Sequence, residues 1–312
     1  MFPNLPAKAR ALNVTLIKMW EDGFEEGALG ASAIMDICSV EGSDASENVY
    51  LFPQEVRGLR TRGADGALIP DAVQVYEGST KNADKYRMID VALNDYKDDK
   101  IGQYSVVARD YGMAAATGPV LDMEDLAIGA DAATALCYDG TPFFGTAHPV
   151  DPVKASSGTW SNKLTKGAGL TFDTFGEVLQ SMVKFPSATP GKAAGTMPSH
   201  LLVPADYFGM ALDICANEFP SGLAGARNKW IGLGIKPIAV PNWTRDAWML
   251  ADARLSKKRP FVFQEREKVA LVPAGIDPDG AVEYERGTLR WIVKGRNGVG
   301  FAYPTKAVLV VK

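Results

Sequence analysis

The sequence predicts an α+β protein, on three observations. Residues 100 to 136 hold one long helical pattern, residues 170 to 253 alternate short helices with strands, and from Pro260 onward the chain reads as strands only. At 312 residues the chain suits two subdomains better than one simple core.

Taken in order, residues 7 to 27 place Leu12, Leu16, Trp20 and Phe24 four apart on a single helical stripe. Too few residues follow before the next element to make a domain, so this helix reads as an arm that docks elsewhere. Residues 43 to 99 form an excursion. Val49 to Pro53, Val73 to Tyr76 and Tyr86 to Leu93 read as strands, the last alternating only weakly. Between the first two lies a run with Arg57, Arg60, Arg62, Gly58, Gly63 and Gly66 and little to bury. A stretch this long without a private core does not offset its own ordering entropy. It is either a mobile functional loop or, the preferred reading, a β-hairpin arm stabilised by another chain.

Asp98 and Asp99 precede the long helix, where carboxylates suit the positive end of its dipole. Ile101, Tyr104, Ala108, Tyr111 and Ala115 make its first stripe; Val120, Met123, Leu126, Ala130 and Ala133 make a second. Gly118-Pro119 separates them, predicting one helix of about 50 Å, kinked or briefly broken near the proline. Residues 152 to 169 are small and polar, a surface loop. Phe172 to Lys184 reads as a helix, His200 to Val203 as a strand, Pro204 to about Asn217 as a helix, and Ile235 to Val240 and Trp248 to Ala251 as strands. Five further strands follow: Phe261 to Arg266, Lys268 to Val272, Val282 to Val293, Val299 to Tyr303 and Ala307 to Val311, with Arg296-Asn297-Gly298 as turn chemistry between two of them.

Composition excludes several classes. With 46% apolar and 22% charged residues and a mean hydropathy of −0.06, the chain is that of an ordinary globular protein. It has no run of eighteen apolar residues to span a membrane, and Met1 to Pro6 lacks the basic and apolar regions of a signal peptide. Cys38, Cys137 and Cys215 are scattered, which fits a reducing compartment rather than a disulfide framework. A net charge of −4 argues against a protein whose main work is gripping phosphate.

Cys137, Asp139 and His148 lie within twelve residues of one another. A thiol nucleophile needs a base within hydrogen-bond reach and a third group to orient that base. The Asp139-Gly140 and Pro142-Phe143-Phe144 steps between them read instead as a tight turn with an apolar plug, holding a buried thiol and a structural histidine. A metal site is weaker still, with two histidines in the chain and no Cys pair. Gly222, Gly225, Gly232 and Gly234 make no nucleotide fingerprint. Arg254, Lys257, Lys258 and Arg259, the most basic run, lack interleaved aromatics and read as a solvated turn or an intersubunit ion-pair donor. Trp230, Trp243 and Trp248 read as core or interface anchors.

The run Leu136-Cys137-Tyr138-Asp139-Gly140-Thr141-Pro142-Phe143-Phe144, ending in His148-Pro149, resembles the major head (capsid) subunit of Mu-like phages and prophages. Asp98-Asp99, Gly102, Tyr104-Ser105, Gly112 and Ala114-Ala115 resemble that family's acidic pair and long helix. Arg259-Pro260, Phe263-Gln264 and Arg266 resemble its late strand, and Asn297 to Phe301 its C-terminal hairpin. The resemblance implies the Hong Kong 97-type capsid fold: an N-terminal arm (1–43), an extended β-hairpin loop (44–97), a peripheral domain with a long spine helix (98–169 and 256–312) and an axial domain (170–255). It implies a shell protein of a tailed double-stranded DNA phage or prophage, self-assembling through pentamers and hexamers into an icosahedral head. It implies no catalytic residues, no cofactor and no metal, with Cys137 and His148 as a structural motif.

The expected partners are copies of itself, a separate scaffold protein, a portal, possible decoration proteins and packaged DNA in weak non-specific contact. No membrane partner is expected. The expected location is the virion, after assembly in the host cytoplasm. Arg57, Arg60 and Arg62 on the loop are expected to meet acidic surface on a neighbour, with Asp90, Asp95, Asp98 and Asp99 as the acids. Two other functions stand beside this one: a cytosolic hydrolase using Cys137 and His148, and an encapsulin-like shell around protein cargo.

Overall fold

The computed structural model describes residues 5–31, 33–53, 75–92, 94–95, 98, 101–151, 157–187, 192–220, 227–274 and 288–312. Helix α1 (Leu5–Gly30) leads through a short 3-10 turn (Ala33–Ile37) into strand β1 (Cys38–Gly42). Strands β2 (Glu47–Pro53), β3 (Val75–Lys81) and β4 (Ala83–Ala92) follow, then helix α2 (Ile101–Ile128). Next come β5 (His148–Pro149), β6 (Thr159–Trp160), β7 (Lys163–Thr165), α3 (Phe172–Val183), β8 (His200–Val203) and α4 (Phe208–Cys215). The chain finishes with β9 (Lys236–Ala239), β10 (Ala247–Ala251), β11 (Phe261–Ala274), β12 (Thr288–Phe301) and β13 (Ala307–Val311).

The arm helix finds its apolar partner within its own chain. Leu12, Leu16 and Trp20, the stripe read from the sequence, are buried together with Ala108 of α2 and with Ile89, Val91, Leu271, Leu289 and Trp291 from three strands. Close contact between α1 and α2 depends on glycine. A Cβ on Gly112 would fall on the Trp20 carbonyl oxygen, and one on Gly23 on that of Arg109.

Helix α2 stays continuous through Pro119 rather than breaking. Thr117, two residues earlier, donates its hydroxyl to the Met113 carbonyl at 3.0 Å, a local back-bond of the kind that accompanies helix bending. The helix ends at Ile128, eight residues before the expected Leu136, because Gly129 begins a series of turns. Asp131 within them is drawn out to Arg245, which binds it through two nitrogens at 2.7 and 2.6 Å, and to Lys163 at 2.8 Å.

Two sheets complete the fold. In the order β1-β11-β12-β4 the first sheet is antiparallel except for the parallel pair β1/β11. The two strands expected on each side of residue 267 are one bulged strand, β11, with register shifts between Glu265 and Ala270. Likewise Asn297-Gly298 is no turn: it lies inside the long strand β12, opposite Glu265 and Gln264. Gly298 is required there by proximity, since a Cβ would fall on the Lys81 carbonyl oxygen.

In the second sheet, β7-β13-β10-β8-β9, the three central strands are buried on both faces. Ala247, Met249 and Ala251 of β10 face a core shared with Phe143, Phe144, Phe261 and the α2 residues Val120, Met123 and Ala127. Trp248 and Leu250 face a separate core under α3 and α4, with Phe175, Val178, Met182, Ala211 and Ile214. Helix α3 begins at a capping box in which Thr171 and Thr174 exchange side-chain and backbone bonds. The C-terminal strand β13 pairs with β10, so the last residues of the chain sit in the sheet built by the 170–255 segment.

Candidate functional site

The expected tight turn is present, and it is wired more heavily than its sequence indicates. Cys137 N–H donates to Thr141 O at 2.9 Å and Gly140 N–H to Cys137 O at 3.0 Å, with Gly140 at φ 76° where a side chain would be strained. Phe143 and Phe144 then plunge into the core. Asp139 is the hub. Its Oδ1 accepts from Cys137 Sγ at 2.9 Å, from Thr141 N–H at 3.0 Å and from the Thr141 hydroxyl at 2.7 Å. Its Oδ2 lies 2.7 Å from His148 Nδ1, and the two side chains are 3% and 0% exposed.

On the far side of the ring, His148 Nε2 lies 3.1 Å from Asn162 Oδ1. That amide is held in one orientation. Its Nδ2 donates to Phe143 O at 2.8 Å and Pro304 O at 3.1 Å, while Oδ1 also accepts from Gly145 N–H at 2.9 Å. Trp160 stacks on the imidazole at a centroid distance of 4.9 Å. The chemistry open to this site follows from its contacts. The thiol is hydrogen-bonded to Asp139 and not to His148, and burial, with the Asp139 charge, pushes its pKa well up. A protonated thiol whose partner is a carboxylate, too weak a base to take its proton, is no nucleophile.

Burial also works against the charge on Asp139, but the bonds from His148, Cys137 and Thr141 outweigh it and bring the carboxyl down to about 2 from an ordinary 3.8. Because the folded value lies below the unfolded one, the carboxylate stabilises the fold above about pH 4, and that contribution disappears as pH falls through about 2. About 2 kcal/mol should be lost over this window, seen by denaturant titration at pH 5 and pH 2. Asp139→Asn should flatten that part of the acid slope; an unchanged slope would refute the assignment.

The predicted interface residues separate into three groups. Arg57, Arg60, Arg62 and Asp99 lie outside the described residues. Asp90 on β4 is engaged within the chain, accepting from Arg290 of β12 at 2.6 and 2.7 Å. Asp95 accepts from the Tyr104 hydroxyl at 2.7 Å, and Asp98 donates its N–H to Asn94 O at 2.9 Å just ahead of α2. Sequence reasoning missed Arg290, Asn162 and Thr141. Only Thr141 carried a local signal, as a hydroxyl two residues after an aspartate. The basic run is also used at home, Lys257 on Glu41 at 2.7 Å, Arg254 on Asp252 at 2.8 Å and Arg259 on Cys38 O at 2.8 Å.

The excursion is only partly without a core. β4 is a full member of the first sheet and buries Ile89 and Val91. At the Pro53/Val75 end of the β2/β3 pairing, Phe52 and Tyr76 stack on Tyr138, next to the Cys–His turn, at 5.2 and 5.4 Å. The opposite hairpin face presents Val49, Leu51 and Val75 at 59%, 61% and 47% exposure, an apolar row nothing in the described chain covers.

A family model described as the Mu-like prophage major head subunit gpT matches residues 10–174, just over half of the chain. The chain belongs to this family. The match takes in the arm helix and the Cys–His turn and stops at the start of α3, so the likeness seen in the late strands lies beyond it. Two curated relatives are a head subunit and a capsid protein. The Mu-like prophage FluMu major head subunit of Haemophilus influenzae is 31% identical over 147 residues, 46% of this chain and 45% of its own. The major capsid protein of Escherichia phage Mu is 30% identical over 166 residues, 50% of this chain and 49% of its own. The chain spans about half the length of the curated relatives it matches.

Among solved structures, a chain of the bacteriophage JBD30 procapsid matches with a TM-score of 0.54 and 21% identity, covering 100% of this chain and 76% of that one. The capsid of cyanophage P-SCSP1u matches with 0.54 and 10%, covering 90% and 88%. A virus-like particle from Pyrococcus furiosus matches with 0.50 and 9%, covering 94% and 98%. These likenesses show that this head-subunit family member has the Hong Kong 97-type capsid fold, α+β as expected.

Proposed function

We propose that the protein is the shell subunit of a tailed double-stranded DNA phage or prophage head, assembling with copies of itself into an icosahedral lattice around the genome. Its membership of the head-subunit family carries this reading. The uncovered row Val49, Leu51 and Val75 supports it, because an apolar hairpin face left open to solvent suits a heterologous contact that closes into pentamers and hexamers. In this scheme residues 1–43 are the arm, 44–97 the extended loop, 98–169 and 256–312 the peripheral domain and 170–255 the axial domain. Scaffold, portal and decoration proteins are its partners during assembly in the host cytoplasm, DNA is a weakly held content, and the mature location is the virion. The shell does no catalysis; Cys137, with its raised pKa and no bond to His148, gives the hydrolase reading no nucleophile. Electron microscopy of the purified protein, with the nucleic-acid content of its particles, tests the proposal. Closed shells containing DNA are expected from infected or induced cells; a persistent monomer, or shells filled with one protein cargo, would refute it.

At the interface, Arg57, Arg60 and Arg62 meet acids on a neighbour. The acids are Asp90, Asp95, Asp98 and Asp99, of which Asp90 would share its carboxylate with Arg290 and Asp95 with the Tyr104 hydroxyl. Exposed pairs of this kind contribute about 0.2–1 kcal/mol each, so their role is register more than affinity. Reversing all three arginines to glutamate is expected to reduce closed particles at least tenfold on a sizing column while the subunit's circular dichroism stays unchanged. Normal particle yield would count against the contact.

A further inference from the structure

We propose that Cys137 Sγ, Asp139, His148 Nδ1 and the Thr141 hydroxyl form a binding site for a divalent transition metal of the zinc class. Among the described residues, Cys137, Asp139 and His148 are the one group of three or more such side chains placed to hold an ion, with ligand atoms all within 4.8 Å of one another. Thr141 Oγ1 joins them at 2.7 Å from Asp139 Oδ1 and 2.8 Å from His148 Nδ1.

The ring is set for this use by its far side. Asn162 presents an oxygen to His148 Nε2, since its nitrogen is committed to two carbonyls, so Nε2 keeps its proton. An outer hydrogen bond at one ring nitrogen, with the other directed at ligand atoms, is the arrangement that orients metal-binding histidines. Nδ1 is then the nitrogen turned toward Cys137, Asp139 and Thr141. Nδ1 lies 2.7 Å from Asp139 Oδ2 and 2.8 Å from Thr141 Oγ1, so a metal bound there would replace these two hydrogen bonds.

Charge balances without any rearrangement of the surroundings. A thiolate, a carboxylate and a neutral imidazole carry two negative charges, which a dication neutralises. Binding releases the thiol proton, and any proton on Nδ1, to solvent. Ligand bonds of 2.0–2.3 Å give tetrahedral edges of about 3.4 Å, so the groups now bonded at 2.7–2.9 Å separate by roughly half an ångström. Thiolate with imidazole favours zinc or cobalt over magnesium or calcium.

The site does not depend on the shell reading, because metal content is a property of the subunit whether or not it assembles. The full chain would be produced with added zinc, purified without chelator and analysed for metal by mass spectrometry. A second sample would be refolded from denaturant with CoCl2, which removes any barrier of access. One metal per chain is expected, with a thiolate-to-cobalt charge-transfer band in the refolded sample. Cys137→Ser keeps a hydroxyl on Asp139 and should lose the band; Thr141→Val should weaken metal retention. Cys38→Ser should leave both signals intact. Near-zero metal in both wild-type preparations, or a band that survives Cys137→Ser, overturns the site.

Discussion

Replacing His148 with alanine is expected to destabilise the subunit by about 3–5 kcal/mol, the usual cost of stranding a buried charged group by removing its partner. Asp139 would be left as a carboxylate with 3% exposure and without its ring partner, accepting only from the Cys137 thiol and from the Thr141 N–H and hydroxyl. Trp160 would lose the ring it stacks on, and Asn162 Oδ1 one of its two donors. For a chain of this size the melting temperature should fall by about 10 °C. Asp139→Ala should cost a similar amount. The two together should cost clearly less than their sum, with a coupling of about 2 kcal/mol, because the double variant leaves neither partner stranded. Additive losses in denaturant titration would show that the two side chains stabilise the turn independently and that the pair is not its basis.

Parts of this architecture were legible because they depend on near neighbours. The α1 stripe is a local period, and Leu12, Leu16 and Trp20 are buried as that period requires. Asp139-Gly140 demands a turn whatever surrounds it, and two adjacent phenylalanines demand a core. Other parts depend on residues far away in sequence. Gly298 looked like a turn glycine, yet its smallness serves the Lys81 carbonyl of a strand more than two hundred residues earlier. β4 alternated only weakly because its first six residues are exposed and burial begins at Ile89. For the candidate site, the cluster Cys137, Asp139 and His148 was visible as a spacing, but what fixes its chemistry was not. Asn162 sits beyond a loop, and nothing in its neighbourhood marks it as the residue that sets the histidine tautomer.

Gly112→Ala is expected to destabilise by about 3 kcal/mol, against the helix propensity that favours it. Taken alone, alanine in a helix interior is better than glycine by about 1 kcal/mol. Here the added methyl would fall on the Trp20 carbonyl oxygen, with the backbone nitrogen of Phe24 2.8 Å away, so the obstruction is backbone rather than a side chain free to rotate. The crossing can relieve it only by separating α1 from α2, which opens the core holding Leu12, Leu16, Ala108 and Trp291. Overpacking of a close-packed core costs about 1–3 kcal/mol, and a backbone contact lies at the upper end. Gly102 supplies the control: it lies on the same helix with nothing within 4 Å of an added Cβ, so Gly102→Ala should be neutral or slightly stabilising. Because Gly112 joins the arm helix to the helix that also reaches the second core through Val120 and Met123, its loss should also free α1 to exchange amide hydrogens faster. Equal stability of the two alanine variants would mean that the arm does not rest on this crossing.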